Sequence, residues 1–109
     1  MQPEDILIET AKIYNKVWRE KLQGRVSNEL SMWETADVEE EASQEVERFL
    51  RKEGAPNWEF VDVFCDCAGI PFPREVDAVG KEIPDARAII APGIRVGGKL
   101  VCLRCGRIQ

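Results

Sequence analysis

Two pairs of cysteines constrain this chain more than any other feature. F-C-D-C-A-G carries Cys65 and Cys67, and V-C-L-R-C-G, close to the final residue Gln109, carries Cys102 and Cys105; the sequence has no other cysteine. A C-x-C pair and a C-x-x-C pair at a distance from each other suit a tetrahedral four-thiolate site, each pair supplying one edge. Zinc is the expected ion, because thiolates suit it and its filled d shell imposes no geometry. Gly106 directly after the second pair, and Gly69 two residues after the first, permit tight turns that aim backbone N–H groups at sulfur. Lys99, Arg104 and Arg107 supply charge against the net −2 of zinc with four thiolates, and Phe64, Val101 and Leu103 are apolar neighbours able to exclude water. Two alternatives stay open: an iron–sulfur cluster, and four buried thiols without metal.

The rest of the composition narrows the chemistry. There is no histidine, which removes His-ligated metals and every Ser-His or Cys-His catalytic pair. With 44% apolar and 32% charged residues, the chain belongs with globular proteins rather than disordered ones. No apolar run approaches the roughly 18 residues of a membrane span. The opening M-Q-P-E-D-I-L-I-E-T is acidic where a secretory signal is basic, so a cytoplasmic protein with no membrane partner is expected. In a reducing compartment four cysteines point to metal or redox chemistry instead of two disulfides.

Charge divides the chain. Residues 1–54 hold 8 Lys/Arg against 13 Asp/Glu, and residues 55–109 hold 7 against 7, so the whole net charge of −5 lies in the first half. No acidic residue follows Asp85, whereas Arg87, Arg95, Lys99, Arg104 and Arg107 are basic.

The same boundary separates two periodicities. Over 1–54 the pattern predicts two amphipathic helices. Pro3, Glu4 and Asp5 form a helix start, followed by Leu7, Ala11, Tyr14, Trp18 and Leu22 on one face, flanked by Ile6, Ile13 and Val17, with a stop near Gly24. Ser31 and Glu34 fit a capping box, followed by Val38, Ala42, Val46, Phe49 and Leu50, with Gly54 and Pro56 as the stop.

Over 55–109 the pattern predicts a zinc-stapled β segment. W-E-F-V-D-V-F-C-D-C reads as a strand with Val61, Val63, Cys65 and Cys67 on one face. I-P-F-P-R reads as extended chain, and a turn or helical piece is expected around 75–79. A-R-A-I-I-A, G-I-R-V and K-L-V-C-L read as short strands broken at Pro92-Gly93 and Gly97-Gly98. The fold class expected is α+β: two N-terminal amphipathic helices packed on a small antiparallel zinc-ribbon-like sheet, together one compact domain.

The order C-x-C then C-x-x-C resembles the zinc-binding redox switch of the oxidation-activated heat-shock chaperone holdase. It also resembles the small zinc subunit of acetone-carboxylase-type enzymes, which has a late C-x-x-C-G. Both likenesses cover residues 65, 67, 102 and 105 alone.

Other signals have simpler readings. Gly93, Gly98 and Lys99 have P-loop spacing, but Leu100 stands where a magnesium-binding Ser or Thr belongs, and a strand follows instead of a helix. The Cys102–Cys105 pair has too little chain after it to open a helix, as a thioredoxin-like dithiol does. Trp18, Trp33 and Trp58 read as core or interface aromatics. No catalytic constellation stands out, and the chain is read as a non-enzyme. The leading expectation is a small zinc-binding accessory or adaptor protein that docks on a protein partner such as a larger enzyme subunit, with a homo-oligomer also open. The alternatives are a nucleic-acid-binding zinc ribbon using the basic last quarter, and a zinc–thiolate redox switch.

Overall fold

In the structure, a computed structural model that describes residues 2–65, 67 and 90–109, the first helix, α1, spans Pro3–Leu22. Proline at the first helical position loses no hydrogen bond there. The Asp5 carboxylate, 3.3 Å from the Gln2 amide, accepts from it. The expected stripe is the buried face: Leu7, Ala11, Tyr14, Trp18 and Leu22, joined by Thr10, whose hydroxyl donates to the Leu7 carbonyl. Gln23 and Gly24 turn into the left-handed region and end the helix.

A short 3-10 turn, Ser27–Glu29, which the periodicity did not indicate, leads to α2, Met32–Glu53. Here the capping box is complete. Ser31 Oγ accepts from the Glu34 amide at 3.1 Å, and the Glu34 carboxylate accepts from the Ser31 amide at 3.2 Å. These bonds satisfy donors that a helix start otherwise leaves open. Gly54, at φ 65°, closes the other end with its amide on the Leu50 and Arg51 carbonyls.

The sheet has three antiparallel strands in the order β1 (Glu59–Phe64), β2 (Ile90–Val96), β3 (Lys99–Cys102). Gly97 and Gly98, both at positive φ (58° and 85°), make the two-residue hairpin between β2 and β3, a turn whose twist matches the strands it joins.

Two strand expectations need correction. The first strand ends at Phe64, so Cys65 and Cys67 lie past it. Pro92-Gly93 is no break: β2 runs through both as the central strand, pairing Asp62 with Pro92 and Val61 with Gly93. Proline is tolerated in this central strand because the Leu103 carbonyl, which its missing N–H would face, accepts from the Asn15 side chain instead. The Pro92 carbonyl accepts from the amide of Leu103, one residue beyond β3. Glycine is required at 93 by crowding, since a Cβ there would lie 2.2 Å from Val63 Cγ2 and 2.8 Å from the Val101 carbonyl oxygen. The expectations over 70–79 and 86–89, and those for Gly69 and Arg87, lie outside the described residues.

Side-chain alternation gives the sheet two faces. On one, Ile94, Val96 and Val101, with Leu103 beyond the strand, enter a cluster with the buried faces of α1 and α2. Helices and sheet therefore share apolar contacts, and the class is α+β. On the other, Val63, Ala91 and Cys102 gather with Cys65 and Cys67 in a second, smaller cluster.

Of the tryptophans, Trp18 is in the core and Trp58 packs against it, edge-on to Phe60 at 5.6 Å. Trp33 departs from the core reading: it is 79% exposed, beside Met32 on the first turn of α2. That turn projects beyond the helix's first buried residue, Val38.

Among the described residues, no helix is long and apolar enough to cross a membrane.

Candidate metal centre

The chain's end is folded back on itself. Beyond β3 it turns through Cys102–Cys105 and runs beside β3 again: Leu100 and Gln109 exchange both backbone hydrogen bonds, and the Cys102 amide donates to the Arg107 carbonyl at 2.9 Å. The C-x-x-C motif is thus the turn of a hairpin. Gly106, at φ 79°, makes the reversal, with its amide on the Cys102 carbonyl at 2.7 Å. The last three residues carry no periodicity of their own, so this return of the chain, with its single bridge between Val101 and Ile108, was not legible.

The turn is also tied to α1. Asn15 donates from one amide nitrogen to both the Ala11 carbonyl (2.7 Å) and the Leu103 carbonyl (2.8 Å). An asparagine flanking a helix stripe gives no sign in the sequence of a contact with a turn 88 positions away.

Against this hairpin β1 delivers the first pair. Cys65 Sγ lies 3.6 Å from Cys105 Sγ, and Cys67 Sγ 3.4 Å from Cys102 Sγ. All four sulfurs lie within 4.8 Å of one another. The structure thus brings together every residue expected at the metal site. Each short contact joins one member of the first pair to one of the second. Four sulfurs about 2.3 Å from one ion stand roughly 3.8 Å apart, so these spacings fit a single tetrahedral ion. They exceed the roughly 2.05 Å of a disulfide, and all four thiols are free.

Burial and charge suit the same purpose. Cys65, Cys67 and Cys102 are buried and Cys105 half-buried, walled by Val63 and Ala91 of the sheet. Val101 and Leu103, expected beside the site, point into the core under the helices instead, and Phe64 is 63% exposed. Backbone donors reach the second pair: the Cys105 amide bonds to the Cys102 sulfur and the Arg107 amide to the Cys105 sulfur. Such N–H groups stabilise thiolate charge. Lys99, expected to offset that charge, is instead ion-paired with Glu4 at the start of α1.

Protons divide unevenly among the thiols. Hydrogen bonds from the Cys102 and Cys67 thiols pull Cys105 far below the usual thiol range. Cys67 is pushed far up by the bonds it makes to Cys102 and Cys105 and by burial, and Cys102 is pushed up to about 11, chiefly by its bond to Cys105. Of these three thiols Cys105 gives up its proton most readily, and a bound cation would take the place of the protons on Cys67 and Cys102.

No protein-family model matches this chain, and no curated protein or solved structure matches it either.

Proposed function

We propose that the four cysteines hold one structural zinc ion in a zinc-ribbon-like unit, and that the chain is a non-enzymatic adaptor that docks on a protein partner. The observation that carries this is the mutual approach of four sulfurs from two distant segments to within 4.8 Å. Tetrahedral sulfur sites suit zinc or iron. Zinc is preferred because four sulfurs so closely grouped fit one ion, whereas a cluster of several irons spreads its ligands more widely. A complete set of four thiolates leaves no open coordination position for a substrate, which is the mark of a structural rather than a catalytic site.

The ion gives the chain a clear benefit. It closes the loop from Cys67 to Cys102 and pins the terminal hairpin. Structural zinc contributes on the order of 10 kcal/mol in small peptides, comparable to the stability of a whole domain. Four thiols kept reduced suit a cytoplasmic location.

The nucleic-acid reading has less support. Of its basic residues, Arg95 is paired with Glu59 at 2.8 Å and Lys99 with Glu4. The redox-switch reading calls for accessible thiols, and three of the four are buried.

Metal analysis of protein purified without added metal tests the proposal. About one zinc per chain, with free thiols after denaturation in chelator, is the expected result. Two disulfides, a stoichiometric iron content, or a folded chain with no metal would overturn it.

A further inference from the structure

We propose that the cleft between the outward side of α1 and the Cys102–Cys105 turn docks an acidic protein segment through its Asp or Glu side chains. This rests on the adaptor reading and gives the partner its chemistry. The cleft, of about 260 Å³, is lined by Ile8, Ala11, Lys12, Arg19, Arg104 and Cys105 among others. Three of these are cationic, and none of the described residues lining it is acidic. Lys12 and Arg19 stand two turns apart on one face of α1, and Arg104 faces them from between the two ligands of the turn. Lys12 is paired with Glu9 at 3.4 Å. That pair is exposed and one turn apart, a type of contact that contributes little, so an incoming carboxylate can replace it.

The shape of the cleft favours peptide over nucleic acid. Its floor is Ala11 and Ile8, the latter 39% exposed, which suits the methylene stem of a glutamate. None of the described residues lining it is aromatic, so it offers no platform for base stacking. A nucleic-acid backbone extends far beyond a cleft this small, over a chain with a net charge of −5. A peptide can place one or two carboxylates in it and leave.

Metal and docking are coupled through one wall of the cleft. Cys105 and Gly106 line it, and the ion that joins Cys105 to Cys65, Cys67 and Cys102 sets the position of that wall and of Arg104.

Fluorescence anisotropy with a labelled oligoglutamate peptide and a labelled oligothymidylate of matched charge tests this on the full chain, loaded to one zinc and checked by metal analysis. The peptide should bind at low salt and weaken as salt rises, and chelation should release it. Lys12→Glu with Arg19→Glu, both on the exposed side of α1, should weaken binding about tenfold or more with zinc content and helical signal unchanged. Arg48→Glu with Lys52→Glu on α2 should leave it unaltered. A zinc-loaded chain that ignores the peptide, an α1 variant that binds as before, or tighter binding of the oligothymidylate would overturn the inference. A chain that never takes up zinc would sink the adaptor reading instead, before any peptide is added.

Discussion

The Tyr14 hydroxyl donates to the Glu39 carboxylate at 2.6 Å, joining α1 to α2 across their packed faces. Burial, and then the nearby Glu39 charge, push this phenol well above its ordinary value. An unfolded tyrosine ionises near pH 10. Because the folded group resists ionisation, its contribution to stability is complete below about pH 10 and is lost as pH rises further. Tyr14 is the chain's one tyrosine, so tyrosinate absorbance reports on it alone. The native protein should show no ionisation near pH 10 and a rise only on alkaline unfolding, whereas in urea it should titrate normally. Native titration near pH 10 would mean that the two helices do not pack this way.

Gly93 is the tightest point of the sheet, lying between Val63 Cγ2 and the Val101 carbonyl. Gly93→Ala forces β1 and β3 away from β2 and should cost about 1–3 kcal/mol in denaturant unfolding, as overpacking does. It should also weaken metal retention, because Val63 lies two residues before Cys65 and Val101 directly before Cys102.

Ser31 caps α2, and Ser31→Ala should lower stability by about 1 kcal/mol in chemical unfolding. Its amide holds the Glu34 carboxyl below the usual range. A depressed carboxyl contributes stability above its unfolded pKa and loses it as pH falls through the folded value. The difference in melting temperature between the wild type and Glu34→Gln should therefore be present at neutral pH and vanish in acid.

Local signals were legible and long-range ones were not. Both helices followed from stripes such as Leu7–Ala11–Tyr14–Trp18 and from the Ser31 and Gly54 caps, all set within a few turns of chain. Gly97-Gly98 was legible as a turn because both residues take positive φ. Pro92-Gly93 has the same look yet lies inside a strand, and its glycine answers to Val63 and Val101, which no local pattern could reveal. The cluster of four cysteines was legible because thiol pairs at short spacing have few uses. The partners around them were not: Lys99 finds Glu4 from the opposite end of the chain, and Asn15 finds the turn across the fold.

The helices and the cysteine hairpin share apolar contacts, since Val101 and Leu103, on either side of Cys102, lie in the cluster with Trp18 and Leu50. Cys105→Ser leaves a three-thiolate site and should loosen the terminal hairpin first. Through those two residues the loss should spread, so that helical circular dichroism and metal release fall together in one transition at lower temperature. Helices that keep their wild-type melting temperature would show that the two parts fold separately.

The most direct measurement is X-ray absorption at the zinc edge of the purified protein. One ion held by Cys65, Cys67, Cys102 and Cys105 predicts four sulfur neighbours at about 2.3 Å and no second metal in the shell. Nitrogen or oxygen ligands in place of sulfur, or scattering from a neighbouring metal, would contradict the four-thiolate centre on which the account depends.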